Sequence, residues 1–300
     1  MNSAARNSLL KLFPGARTDV PFSTLTTMRV GGNAAVLADP GNTGELQSLL
    51  YIIREHDLPS LIIGKGSNLV VSDRGFDGVV YRLGGDFKAI EFRGDTVIAG
   101  GGAGLAMLSR MAAERGFSGL EFAAGIPGTV GGAVVMNAGA HGEDISGITA
   151  EVHTVTLNGV TETVSGESVK WGYRHGIDDS RIISTTIFKI FNKSIDIILK
   201  KMDNNQNVRK DSQPTGFSAG SVFRNPEGGK AWQFIRDAGF SGFKMGGAVV
   251  SDKHANFILN TGNATAADVA GLIRAVQKGV REKFGIELIP EIRLIGEFEE

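Results

Sequence analysis

Residues 123–142 read AAGIPGTVGGAVVMNAGAHG. Six glycines stand in these twenty residues, and no Lys, Arg, Asp or Glu interrupts them. Glycine loses more conformational freedom on folding than any other residue, so a run like this needs a compensating reason. Its peptide groups still need hydrogen-bond partners. Two solutions satisfy both demands. The run is a tightly packed buried crossing, or it is a wall of backbone against which a flat ligand lies. A flavin suits the second, because its ring needs N–H donors near N5, N1 and the carbonyls, and apolar contact on its faces.

The whole chain has 42 glycines in 300 residues, roughly twice the usual ~7%, and they gather in a few loops. A second cluster is IIGKGSNLVVSD (62–73). Gly64, Lys65, Gly66, Ser67 and Asn68 follow a short apolar strand there, and glycines in such a place let consecutive N–H groups form an anion-binding nest. A dinucleotide fingerprint would need a sixth-position glycine opening a helix. Leu69 stands there, followed by strand-like residues. The third cluster, AGGGAGL (99–105), fails in the same way at Leu105. A tight turn is the alternative for each.

Composition removes several function classes. With 31 basic and 32 acidic residues the net charge is −1, which speaks against a nucleic-acid partner. The absence of cysteine excludes disulfides, thiolate ligands and a thiol nucleophile. His56, His141, His153, His175 and His254 show no metal-ligand spacing, so no metal site is expected. No run of about 18 apolar residues occurs, and MNSAARNSLLKLF is too weakly apolar for a signal peptide; the expectation is a cytoplasmic protein without membrane contact.

Strand and helix patterns alternate over 35–140. Helices are expected at 43–56, 105–114, 195–202, 230–238 and 265–284, the last capped by Thr265 with Asp268 three residues on. Asn158-Gly159 marks a hairpin. The polar run DNNQNVRKDSQPTG (203–216) reads as a connection, and 286–295 as a final strand.

Seven short stretches occur in order: TTMRVGG (26–32), IIGKGSNLVVSDRGFDGVV (62–80), GIPGTVGGAVVMNAGAHG (125–142), GYR (172–174), SAGSVFRNP (218–226), KHANFILN (253–260) and PEIRLIG (290–296). Together they resemble the UDP-N-acetylenolpyruvoylglucosamine reductase (MurB) family, in its shorter class, over nearly the whole chain. The resemblance implies an α+β architecture: an FAD-binding fold of the vanillyl-alcohol oxidase/PCMH type in two lobes, plus an α+β substrate-binding domain. The implied boundaries are 1–200 for the FAD domain, with lobes of about 1–82 and 83–200, then 201–285 for the substrate domain, then 286–300 as a strand returning to the FAD domain. The implied cofactor is non-covalent FAD, with NADPH as hydride donor, a UDP-sugar as substrate and a monomeric protein.

The same resemblance assigns residues. FAD goes to Gly64, Lys65, Gly66, Ser67 and Asn68, and to Gly125, Ile126, Pro127, Gly128, Thr129, Gly132, Asn137 and Gly139. Tyr173 and Asn225 are substrate contacts. An enol ether is electron-rich and accepts hydride only if its carboxylate is stabilised as charge moves onto it. Arg174 has the fork for that carboxylate. Glu291 would stabilise the enolic intermediate, and Ser221 would deliver the proton. A turn serine, a surface arginine and a solvent-facing strand glutamate are the plain alternatives. The run His175-Gly176-Ile177-Asp178-Asp179 departs from the family, which usually has serine two residues past the arginine. The rival reading is another FAD-dependent oxidase or dehydrogenase of this fold; a non-catalytic nucleotide-binding module would need neither Ser221 nor Glu291.

Overall fold

The computed structural model describes residues 3–178 and 180–298. Its helices are α1 (Ser3–Leu12), α2 (Thr43–Glu55), α3 (Leu105–Glu114), α4 (Val130–Val135), α5 (Ile195–Ser212), α6 (Ala231–Asp237) and α7 (Ala266–Phe284). The chain packs as two compact units. One takes residues up to Arg17, Val36–Gly64 and Gly78–Arg209; the other takes Thr18–Ala35, Lys65–Asp77 and everything from Lys210 onward. The functional division expected at 200/201 and 285/286 follows chain order, whereas these packing units interleave.

The first unit holds a five-stranded antiparallel sheet in the order Thr161–Ser165, Thr149–Thr156, Arg181–Lys189, Thr96–Gly100, Ile90–Arg93. Hairpin chemistry sets one edge: Thr156 N–H donates to Val160 O at 2.8 Å, and Gly159 adopts φ 83°. Leu105, Leu108 and Ala112 line one face of α3 and pack with Val97, Phe122, Val134, Val152 and Phe188. A second core forms where Leu46, Leu49, Leu50 and Ile53 of α2 meet Val36, Val79 and Tyr81.

Two expectations are corrected. The run 203–216, read as a connection, is helical through Ser212 as the second half of α5. Its Asp-Asn-Asn-Gln-Asn composition is a poor helix former. Tertiary contacts override that preference: Ile198 and Met202 are buried beside Ala113, and Asn205 Nδ2 donates to Glu121 O at 3.5 Å. The expected strand 286–295 shrinks to Arg293–Ile295, paired in parallel with Leu69–Val71. Pro290 has no N–H to give a ladder, which suits an irregular approach.

The second unit is built on α7. Val269, Leu272, Ile273, Val276 and Val280 are buried on one face against Val222, Phe223, Val250, Ile258 and Ile292. Phe284, expected on that face, is the last residue of the helix, is exposed, and meets the edge of Phe234 at 5.6 Å. The first-turn N–H groups of α7 are all satisfied. Ala266 and Ala267 donate to the Asp73 carboxylate at 2.9 Å each, Asp268 N–H donates to Thr265 Oγ1 at 3.0 Å, and Thr265 N–H donates to Asp268 Oδ2 at 2.9 Å. Asp268 Oδ2 also accepts from Gly247 N–H at 3.0 Å.

Burial raises the proton affinity of the Asp268 carboxyl, but these donors outweigh it and hold the group below the usual range. A carboxylate depressed in the folded state contributes stability above its unfolded pKa, about 4, and loses it as pH falls through the lower folded value. Asp268→Ala is expected to cost about 1–2 kcal/mol at pH 7. Urea unfolding across a pH series should show the gap between the two proteins closing below about pH 4; a gap independent of pH would contradict this account.

Candidate active site

In the second unit, Ser221 follows Gly220, whose φ of 81° is in the left-handed region glycine favours. The segment is held from two directions. Ser221 lies opposite Phe257 in an antiparallel bridge, and Val222 N–H donates to Asn256 O at 2.8 Å. From the other side, Glu291 N–H donates to Val222 O at 2.7 Å. Asn256 is buried, and its side-chain amide closes a ring with Phe223: Oδ1 accepts from Phe223 N–H at 2.9 Å and Nδ2 donates to Phe223 O at 2.8 Å. The Ser221 hydroxyl, half-buried, has no partner among the described residues.

Asn68 joins the same group. Its Nδ2 donates to Glu291 O at 3.1 Å, and its carbonyl accepts from Arg293 N–H at 2.9 Å. The structure thus brings Ser221, Glu291 and Asn68 together. Gly66 adopts φ 60°, and a Cβ there would stand 2.5 Å from Leu25 O. The Lys65 and Gly66 N–H groups have no acceptor among the described residues. Thr27 links this turn to the serine segment: its N–H donates to Gly66 O at 3.2 Å and its Oγ1 to Ser218 O at 2.6 Å. Sequence reasoning quoted TTMRVGG but gave Thr27 and Asn256 no role. Asn225 Oδ1 accepts from Ala231 N–H at 3.1 Å, leaving the amide Nδ2 to donate elsewhere. His254 packs edge-on to Phe257 at 5.0 Å, and burial pushes its imidazole pKa down.

In the first unit, Gly64 and Thr129 meet: a Cβ on Gly64 would lie 2.6 Å from Thr129 Oγ1. That oxygen also accepts from Gly132 N–H at 3.3 Å. The long glycine run is pinned by the AGGGAGL segment beneath it. Val130 N–H donates to Ala103 O at 2.9 Å, Gly131 N–H to Gly101 O at 2.8 Å, and Leu105 N–H to Gly128 O at 3.2 Å. Ile126 N–H turns back to Ala123 O at 3.0 Å, and Pro127 has no N–H. Gly128, at φ 140°, holds a conformation open only to glycine. The half-buried N–H groups of Gly128 and Thr129 have no acceptor among the described residues.

Two expected cofactor residues have structural work of their own. Asn137 is buried at φ 40°; its Nδ2 donates to Gly172 O at 3.1 Å and to Asp144 Oδ2 at 3.3 Å, and its Oδ1 accepts from Ser146 N–H at 3.0 Å. Gly139 sits opposite Asp144, where a Cβ would stand 2.7 Å from the Asp144 Cβ. Asn137 therefore holds the turn Gly172–His175, in which Gly172 N–H donates to His175 O at 2.8 Å and Arg174 adopts φ 56°. The Arg174 guanidinium lies 5.0 Å from the centre of the exposed Tyr173 ring.

The departure at Gly176 has a local reason. Gly176 N–H donates to Val135 O at 3.0 Å, and a Cβ at 176 would collide with the Val134 carbonyl. Backbone takes the space a serine side chain would need. Asp179 lies outside the described residues. Among the described residues no three His, Asp or Glu side chains converge as metal ligands.

Comparison with known proteins agrees with this geometry. Residues 213–295 match the family described as UDP-N-acetylenolpyruvoylglucosamine reductase, C-terminal domain, and residues 34–165 match an FAD binding domain. The UDP-N-acetylenolpyruvoylglucosamine reductase of Caldanaerobacter subterraneus subsp. tengcongensis is 41% identical over 92% of this chain and 92% of the relative. The Bacillus subtilis protein of the same name is 39% identical over the same shares. The crystal structure of the MurB enzyme from Thermus caldophilus matches with a TM-score of 0.82 at 33% identity, covering 94% of this chain and 98% of that one. A glucose dehydrogenase, Phl p 4.0202, shares the fold alone: TM-score 0.50, 15% identity, 64% of this chain and 45% of that one. With two fifths of its residues shared along nearly its whole length, the chain belongs to the UDP-N-acetylenolpyruvoylglucosamine reductase family.

Proposed function

We propose that this chain reduces the enolpyruvyl ether of UDP-N-acetylglucosamine enolpyruvate to the lactyl ether of UDP-N-acetylmuramate. FAD is the cofactor, NADPH the hydride donor, and the product feeds peptidoglycan synthesis in the cytoplasm; the protein acts as a monomer. The observation that carries the reading is Ser221. A half-buried hydroxyl without a partner among the described residues, fixed by backbone bonds next to Glu291, suits a proton donor better than a turn residue.

The residues present fit a flavin nucleotide. A diphosphate needs N–H donors that the protein does not use itself, and each unit carries such donors: Gly128 and Thr129 in the first, Lys65 and Gly66 in the second. The uncharged loop that carries Gly128 and Thr129 suits the ring. No cysteine exists and His141 is the one histidine in the long glycine run, so non-covalent binding is the reading. When bound, FAD carries a hydride from NADPH to the terminal carbon of the enolpyruvyl group.

The chain's own residues supply the rest. Arg174 binds the carboxylate with two N–H groups and favours the charge that develops there. Its turn, over-determined by Asn137 and the Gly172–His175 pair, keeps the guanidinium from relaxing away. Glu291 stabilises the enolic intermediate. Ser221 then gives its proton to the carbon next to the carboxylate and regains one from solvent. Serine is a weak acid, and it serves because an enolate-like carbon is far more basic and the O–H is already placed. Asn225 and Tyr173 contact the UDP-sugar.

Non-covalent binding is checked simply: acid precipitation should leave all flavin in the supernatant, and colour in the pellet would contradict it. Arg174→Lys keeps the charge but loses the fork. Turnover of the enolpyruvyl sugar should fall roughly 10²-fold, with flavin content unchanged. For Ser221→Ala, rapid mixing separates the halves of the cycle. NADPH should reduce the flavin at a near-normal rate, while re-oxidation by the enolpyruvyl sugar slows by about 10²–10⁴-fold. Ser221→Cys should recover part of that loss. If the alanine variant slows both halves equally, Ser221 is structural and the proton comes from elsewhere.

A further inference from the structure

Helix α5 carries three nitrogen donors at every fourth position, Lys201, Asn205 and Arg209, which therefore share one face. The face lies along the 3-10 turn Glu121–Gly125. Each of the first two donors has an acceptor. Lys201 Nζ is 2.8 Å from Glu143 Oε2 and 3.9 Å from Glu121 Oε2, and Asn205 Nδ2 donates to Glu121 O. The buried Glu121 carboxylate is filled further by Ser118 Oγ at 2.6 Å and Gly119 N–H at 2.8 Å.

Arg209 is next in the series and breaks the pattern. Its Cδ lies 2.9 Å, its Nε 3.6 Å and its Nη1 3.7 Å from where a Cβ on Gly125 would stand. The side chain lies flat over the first residue of the long glycine run, and any side chain at 125 would displace it. No acceptor for the guanidinium occurs among the described residues. Burial destabilises its charged form, so the position is unfavourable as it stands. A half-buried cation with five N–H donors and no acceptor is kept where an anion arrives to pair with it. Three and four residues beyond Gly125 are the N–H groups of Gly128 and Thr129, which also have no acceptor among the described residues.

We propose that Arg209 is a ligand for the diphosphate of the bound flavin nucleotide, and that residue 125 is glycine so that the arginine can lie on the loop. The inference rests on the reading that the chain binds FAD, and wild-type binding tests that reading separately. Sequence alone hid Arg209 inside a run that looks like a linker. The fold of the helix, and not the motif, places it.

The test follows release of FAD on dilution of the holoprotein, read from recovery of flavin fluorescence. Arg209→Met keeps the aliphatic stem and should bind FAD roughly 10–100-fold more weakly, the value of a charge-assisted hydrogen bond or two. Arg209→Lys should fall between the two, and Gly125→Ala, which pushes the arginine aside, should weaken FAD in the same direction. Protein stripped of FAD and reloaded with riboflavin, which has the ring and no phosphate, should show equal affinity in wild type and Arg209→Met. An unchanged FAD affinity in Arg209→Met, with wild type binding normally, overturns the ligand role. An equal penalty for riboflavin and FAD overturns the diphosphate assignment. Circular dichroism and thermal unfolding of each variant separate a lost ligand from a lost fold: an Arg209→Met protein that unfolds early while Arg209→Lys and Gly125→Ala fold normally and keep full FAD affinity also overturns the proposal.

Discussion

The N–H of Glu291 donated to the carbonyl of Val222, 2.7 Å away, ties together the two segments of the second unit that carry the candidate site. It lies one residue from Ser221 on one strand and at the candidate acid on the other, so a single backbone bond fixes the two together. Around it the bonds are redundant. Asn68 grips Glu291 from one side, and Asn256 grips Val222 and Phe223 from the other. A proton donor as weak as serine contributes only if its O–H is aimed before the reaction begins, and for Ser221, the donor proposed above, redundancy of this kind would serve that end. The cost of burying the Asn256 amide is offset because both its oxygen and its nitrogen are paired.

Glycine does two different jobs in this chain, and the structure separates them. At Gly139, Gly176 and Gly64 a neighbouring chain occupies the space of the missing Cβ, so packing alone demands the residue. Gly128 and Gly220 have positive φ, and their residue type is fixed by backbone direction; Gly66 combines positive φ with a Cβ position filled by Leu25 O. In the long run 125–142 both kinds occur, with positive φ at Gly128 and Gly142 and a close neighbour at Gly139, which is why composition alone left both a buried crossing and a ligand wall open. The crossing is real, since residues 128–131 are bonded to the 101–105 segment underneath. On the same crossing, the N–H groups of Gly128 and Thr129 have no acceptor among the described residues, the feature on which the proposed ligand wall rests.

What the sequence made legible follows the strength of the local signal. Helix α7 was readable to its cap because an apolar stripe and a capping box agree, and α3 because its period is unbroken. The order of strands in the five-stranded sheet was not, because pairing across the chain leaves little trace in any one segment. The second half of α5 was hidden by its composition; only its contacts with the Glu121–Gly125 turn make those polar residues helical. The motifs named Ser221, Glu291 and Arg174, yet said nothing of Asn256, Thr27 or Asn137 as the residues that hold them. Supporting residues of this sort act through long-range backbone contacts, which spacing along a chain cannot display.

The placement of charge makes a further argument from the same geometry. The chain is close to neutral, and it carries exposed ion pairs such as Arg93 with Glu91 or Arg236 with Asp237. Such pairs are screened by water and contribute little to stability. Arg209 is different: it sits half-buried on an uncharged loop and, among the described residues, meets no acid. A reductase that keeps FAD bound while NADPH and a UDP-sugar come and go must hold the flavin diphosphate without gathering other anions over the same surface. A neutral loop with spare N–H groups and one fixed cation does this, because the attraction is strong only at the point where phosphate reaches it and falls away elsewhere. An acidic partner for Arg209 within the chain would remove that attraction, and a second free cation beside it would spread the attraction to other anions.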